Sequence, residues 1–61
     1  MVDASTALDN PELRLPRPAV RGFDAAGYVT LGDVWAAEDS ELTQLHGVGL
    51  KALRMIEDLR H

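Results

Sequence analysis

Two glycines flanking a valine, Gly47-Val48-Gly49 (hereafter the glycine turn), form the segment of this chain best suited to binding chemistry. Glycine tolerates positive φ, so the chain can reverse sharply here, and a bare backbone can approach a ligand closely. Free N–H groups at the start of a following helix point outward, and such a terminus binds phosphate. Lys51 adds a positive charge in the first turn of that helix, and Val48 is expected to point inward. A compact link between two helices, with no ligand, is the alternative interpretation.

The positive side chains are unevenly distributed along the 61 residues, whose net charge is −4. All 6 lie in residues 11–22 and 45–61, on either side of an acidic middle, residues 23–44. Arg17 and Arg21 are four positions apart and therefore share one face of a helix, while Arg54 joins Lys51 on the outer side of the last helix. This pattern indicates either a basic face for nucleic acid or an ordinary solvated surface.

No combination of residues typical of catalysis or metal binding is recognisable. The chain has no cysteine, which excludes disulfides and thiolate metal sites. His46 is expected to cap a helix or lie on the surface, and His61 has no evident partner. Solvated carboxylates are expected at Asp24, Asp33, Glu38, Asp39 and Glu41. We therefore expect no enzymatic activity, no metal, no cofactor and no small-molecule substrate.

Apolar spacing and capping residues predict four short helices and no strand. The first runs from about Arg17 to Ala26 and is closed by Gly27. The second starts at the N-cap Thr30, with Asp33 in a capping box. The third runs from Asp39 or Ser40 to His46, and the fourth begins after Gly49 and continues to about Arg60. The predicted core residues are Phe23, Leu42, Leu45, Leu53 and Ile56. The fold class is therefore all-α, with a flexible N-terminal tail over residues 1–12 and one domain over residues 13–61.

The last third of the chain resembles the helix-hairpin-helix motif of DNA-binding proteins, along the run Leu42-x-x-Leu45-x-Gly47-Val48-Gly49-x-x-x-Leu53-x-x-Ile56. An earlier run looks like a degenerate first hairpin of the same fold, Ala26-Gly27-Tyr28-Val29-Thr30-Leu31-Gly32-Asp33-Val34. Over about residues 13–60, the two runs together resemble the C-terminal domain of the bacterial RNA polymerase alpha subunit and related small paired-hairpin domains. The resemblance implies a compact, SAM-domain-like bundle of four or five short helices with two helix-hairpin-helix units.

The resemblance also implies a DNA-backbone surface built from the second hairpin and the start of the first helix. Both glycines of the glycine turn and Lys51 match phosphate-contacting positions, and Arg21 matches a contacting polar residue. Two positions depart from the family pattern: Pro18 replaces an arginine that enters the minor groove, and Ala52 replaces a serine that contacts the backbone. Backbone binding with little sequence preference is therefore expected.

Two functions remain open at this point. The first is a weak, non-enzymatic DNA-binding module that contacts phosphates through Gly47, Val48, Gly49, Lys51, Arg54, Arg21 and Arg17. The alternative is a small helical protein–protein interaction module without DNA binding, which uses Trp35 or Tyr28 beside Glu38 of the acidic segment. No membrane partner is expected, because no apolar run approaches roughly 20 residues. The first residues lack a secretion signal, which predicts a cytoplasmic location.

Overall fold

Four α-helices and one 3-10 helix form the framework of residues 2–60, the part of the chain described by the computed structural model. The 3-10 helix spans Pro11–Leu13, and the α-helices are α1 (Arg17–Ala25), α2 (Leu31–Trp35), α3 (Asp39–Leu42) and α4 (Leu50–Asp58). Within residues 2–60 there is no strand, only an isolated antiparallel bridge between Ala7 and Thr30. The predicted all-helical class is confirmed.

The end of α1 follows the chemistry predicted for Gly27. This glycine has a φ of +89°, a conformation that side chains with a Cβ atom rarely adopt. Its N–H donates to the carbonyl of Asp24, and the N–H of Tyr28 donates to the carbonyl of Phe23 at 2.9 Å. This pair of hydrogen bonds is a Schellman motif, which satisfies the last carbonyls of the helix. The helix ends at Ala25, one residue before the predicted end.

The start of α2 is fixed by the predicted capping box. The hydroxyl of Thr30 accepts a hydrogen bond from the Asp33 N–H at 3.3 Å. In return, the Asp33 carboxylate accepts from the N–H groups of Val29 at 2.9 Å and Thr30 at 3.1 Å. These bonds, the one from Val29 first, hold the pKa of the Asp33 carboxyl below its ordinary value of 3.8. The predicted N-terminus of α2 is therefore confirmed in detail.

The third helix is shorter than predicted and begins differently. It ends at Leu42 instead of His46, and its N-cap is Glu38, whose side chain makes no cap hydrogen bond. Beyond Leu42 the backbone tightens, because the N–H of Leu45 donates to the carbonyl three residues earlier at 3.2 Å. Such three-residue turns are common at helix ends and turn the chain toward Gly47. A similar tightening ends α4 at Asp58, two residues before the predicted end.

The core lies between α1, α2 and α4 and contains three of the five predicted residues. Phe23 is 0%, Ile56 is 1% and Leu42 is 6% exposed. The prediction is wrong for Leu45 and Leu53, which are only partly buried and pack against the core from outside. Leu45 follows the end of α3, and Leu53 borders an open groove between helices. The remaining buried side chains are Leu8, Leu13, Ala19, Leu31, Val34, Val48 and Ala52.

The N-terminal segment is packed on the domain, in contrast to the flexible tail predicted for residues 1–12. Leu8 is 3% exposed and belongs to the core. Its N–H donates to the carbonyl of Val29 at 2.9 Å, and the Leu31 N–H donates to the carbonyl of Thr6 at 3.0 Å. The Gly32 N–H likewise donates to the carbonyl of Ala4. The segment is held because Leu8 buries apolar area and because its backbone pairs with the chain around Thr30.

Candidate nucleic-acid interface

The glycine turn is anchored by its central valine. Val48 is 9% exposed and packs into the core, as predicted. Gly47 adopts a left-handed φ of +81°, so the sharp reversal of the chain occurs at this residue. Gly49, in contrast, has a φ of −88° and a ψ of 169°, which is extended backbone open to any residue. Only the first glycine is therefore required by the backbone conformation of the turn.

Helix α1 packs directly on the glycine turn. A Cβ atom on Gly47 would lie 2.8 Å from the Pro18 carbonyl oxygen, in the first turn of α1. One turn further along α1, a Cβ atom on Gly22 would collide with the carbonyl oxygen of His46. Sequence reasoning missed Gly22, although a glycine inside a predicted helix signals close packing because it is otherwise unfavourable there. The contact joins the start of α1 and the turn into one surface.

The start of α4 is open to solvent. Gly49 is its N-cap and provides no side-chain hydrogen bond, and a Cβ atom on Gly49 would meet nothing within 4 Å. The first N–H groups of an α-helix have no acceptor within the helix, and here the helical bonds begin with Leu53 N–H to the Gly49 carbonyl. Leu50, at the first helical position, is 69% exposed. The positive end of the α4 dipole thus faces an unobstructed surface.

The predicted cationic residues lie on three separate parts of the surface. Lys51 is exposed in the first turn of α4, next to the glycine turn. Arg17 and Arg21 are exposed on α1 and line a cleft beside the N-terminal segment, together with Arg14, which sequence reasoning did not select. Arg54 lines a different groove, between α2, α3 and α4. The structure therefore brings together the turn, α1 and Lys51, but it separates Arg54 from the α1 arginines.

The cationic side chains of α1 and of the first turn of α4 are not neutralised by direct contacts. Within residues 2–60, the side chains of Arg17, Arg21 and Lys51 make no hydrogen bond or ion pair. Their charges are therefore available to an anionic ligand, and the flexible stems allow the charged groups to reach outward. An anion that contacts the α4 terminus would meet backbone N–H groups and the Lys51 ammonium together.

Trp35 lies in the groove that contains Arg54. This groove (hereafter the Trp35 groove) has a volume of about 480 Å³ and an apolar lining that includes Leu42, Leu53 and Leu50. Trp35 is half-buried, and its indole N–H donates to the carbonyl of Ile56 at 3.0 Å. The indole is thus fixed against α4 with its polar atom satisfied.

Tyr28 does not belong to the Trp35 groove. Its ring packs against Phe23 with the ring centroids 6.0 Å apart, and its hydroxyl donates to the Glu41 carboxylate at 3.4 Å. Burial of the phenol and the nearby charge of Glu41 raise the pKa of Tyr28 above its ordinary value of 10.0. The patch expected from Trp35 or Tyr28 beside Glu38 is therefore divided between two surfaces, and Glu38 does not line the groove.

Residues 2–60 contain no group of three or more histidine, aspartate or glutamate side chains that could hold a metal ion. His61 lies outside this range. None of the helices between residues 2 and 60 has the length and apolar character needed to cross a bilayer. Comparison of the chain with protein-family models, curated protein sequences and solved structures found no match.

Proposed function

We propose that this chain is a non-enzymatic module that binds the phosphate backbone of double-stranded DNA through the glycine turn, with little sequence preference. The proposal includes the finer fold assignment, a SAM-domain-like pair of helix-hairpin-helix units in which the glycine turn is the second hairpin. One observation carries it: the start of α4 is uncapped and sterically open at Gly49, with Lys51 exposed in the same turn. The binding requires no metal and no cofactor.

The open terminus supports phosphate binding for two physical reasons. Unpaired N–H groups and the helix dipole both favour an anion, and neither requires a particular base sequence. The absence of a side chain at Gly49 allows a bulky phosphodiester to approach the backbone. Val48 holds the turn in the core, so less conformational entropy is lost when a ligand binds.

The position of α1 supports a contact that extends beyond a single helix end. Pro18 and Gly22 pack on the turn, and Arg17 and Arg21 lie on the same helix without intramolecular partners in the described part of the chain. Two to four neutralised phosphates give weak binding, near the non-specific range of about 10⁻⁴ to 10⁻⁶ M. Biological use then requires tethering, a dimer or a second binding module.

An amide-shift NMR titration with a short DNA duplex at low ionic strength tests this function directly. We expect shifts concentrated at residues 47–51, equal for duplexes of unrelated sequence. The logarithm of affinity should fall with the logarithm of salt concentration with a slope of about −2 to −4. Wild-type protein that binds no duplex at low ionic strength would show the glycine turn to be only a link between helices.

A second candidate function is a protein–protein interaction module, which the Trp35 groove favours. The groove is apolar, Leu50 at its border is 69% exposed, and Asp39 and Glu57 line it as well as Arg54. A hydrophobic centre with a charged border is typical of interaction surfaces. The same NMR sample distinguishes the two functions. No shift at residues 47–51 with DNA, combined with concentration-dependent shifts around Trp35, would favour the interaction module over DNA binding.

A further inference from the structure

Three arginines line one cleft between the N-terminal segment and α1. The cleft has a volume of about 350 Å³, and Arg14, Arg17 and Arg21 contribute to its lining together with one carboxylate, Asp9. The lining thus carries an excess of two positive charges in a chain whose overall charge is −4. None of the three guanidinium groups makes an ion pair or hydrogen bond within residues 2–60. We call this site the arginine cleft.

Arg14 occupies a conformation that is unfavourable for its residue type. Its φ of 54° and ψ of 33° are left-handed, and it is the only non-glycine residue with positive φ within residues 2–60. It is the C-cap of the 3-10 helix Pro11–Leu13, and its N–H donates to the carbonyl of Pro11 at 3.2 Å. Glycine suits left-handed positions at helix ends far better than arginine does. The side chain at this position therefore brings a charge to the cleft at the expense of local stability.

The arginine cleft and the glycine turn both border the first turn of α1. Pro18 is in contact with Gly47 of the turn, and Arg17, its neighbour in the chain, lines the cleft. A helix with its side chains is about 10 Å in diameter, so the two sites are separated by roughly this width. The major groove of B-DNA is about 12 Å wide, so the phosphates on its two sides are spaced on a similar scale.

We infer that the arginine cleft is a second phosphate-binding site, which holds a backbone phosphate of the same DNA duplex that the glycine turn contacts. This inference rests on the proposed function. Guanidinium groups bind phosphate oxygens through planar pairs of N–H donors, which fits three arginines around one cleft. Arg14 is the residue that distinguishes this site from the contact at the glycine turn.

The test compares Arg14→Gly with the matched control Arg60→Ala. Arg14→Gly removes the guanidinium group and places glycine where φ is positive, so the domain stays folded. Arg60→Ala removes the same charge from the Trp35 groove, outside the arginine cleft. We expect Arg14→Gly to reduce the magnitude of the salt slope of duplex binding by about 1, and Arg60→Ala to leave the slope unchanged.

Three outcomes would contradict the inference, and they are distinguishable. If the wild-type protein shows no salt-dependent binding, both the proposed function and the second site are wrong. If the wild type binds and Arg14→Gly has the same slope, only the second site is wrong. If both variants lower the slope equally, the effect reflects total charge, and the cleft is again not a phosphate site. A melting temperature for Arg14→Gly at or above that of the wild type excludes unfolding as the cause.

Discussion

Gly22 lies so close to Val48 that a Cβ atom on Gly22 would come within 2.9 Å of Val48 Cγ2. The same Cβ atom would also meet the carbonyl oxygen of His46, which is backbone and cannot rotate away. Helix α1 and the glycine turn are therefore pressed together at a point that only glycine permits. Any ligand contact that uses both α1 and the turn depends on this packing.

Replacement of Gly22 by alanine is expected to destabilise the domain. Alanine is favoured over glycine in a helix by about 1 kcal/mol, but forcing a methyl group into a packed interface costs about 1–3 kcal/mol or more. The steric cost exceeds the gain in helix propensity, because one of the colliding atoms belongs to the backbone. Urea denaturation of Gly22→Ala beside the wild type measures the difference. A Gly22→Ala variant as stable as wild type would contradict the close packing.

Gly49→Ser is expected to raise stability and to weaken DNA binding. Serine at an N-cap accepts a hydrogen bond from the N–H of the second or third helical residue, here Lys51 or Ala52. The stabilisation is a few tenths of a kcal/mol, since glycine is itself an acceptable N-cap. The same hydroxyl then competes with phosphate for a hydrogen bond from one of these N–H groups. Thermal melting and duplex titration measure both effects, and unchanged affinity would argue against phosphate contact at this helix end.

Lys51→Glu separates binding from folding at the start of α4. A negative charge in the first turn interacts favourably with the helix dipole, by about 0.3–1 kcal/mol, so the melting temperature should stay constant or rise. The magnitude of the salt slope of DNA binding should decrease by at least about 1, because a cationic contact becomes repulsive. Arg60→Glu is the control for net charge. Equal loss of affinity in both variants would mean that Lys51 makes no specific contact.

Ile56→Ala is expected to cost more stability than Leu53→Ala. Ile56 is 1% exposed, and truncation of such a core side chain costs about 2–5 kcal/mol, enough to unfold a marginal domain of this size. Leu53 is partly buried at the Trp35 groove, where solvent or neighbouring side chains can fill the vacated space. Circular dichroism during urea denaturation ranks the two variants. The reverse order would contradict the orientation of α4.

The capping box predicts a defined loss of stability in acid. The pKa of Asp33 is lowered in the folded state, so its stabilising effect is complete above the ordinary value of 3.8 and is lost as the pH falls through the lower folded value. The melting temperatures of wild type and Asp33→Asn should differ at neutral pH and converge below pH 3.8. A difference that persists in acid below the folded pKa of Asp33 would mean that the charge of Asp33 is not involved.

The features that the sequence predicted well rest on interactions between residues that are close together in the chain. Thr30 and Asp33 are three residues apart, and Gly27 directly follows the helix it closes, so residue type and spacing suffice. The packing of Leu8, in contrast, depends on its distant partner Val29, and a polar segment with weak periodicity gives no sign of it. The arginine cleft was missed for a related reason: its other side is formed by residues 8–11, which the sequence predicted to belong to a flexible tail.

The pairing of the N-terminal segment with the chain before α2 also orders the events of folding. Helices and tight turns form within microseconds, because their contacts are local. The hydrogen bonds from Leu8 to Val29 and from Leu31 to Thr6 join residues far apart in the chain, so we expect this loop to close after the local structure has formed. During synthesis the segment leaves the ribosome before its partners exist. Leu8 therefore stays exposed to water at least until Val29 and α2 emerge, and the core is complete only after α4 has followed.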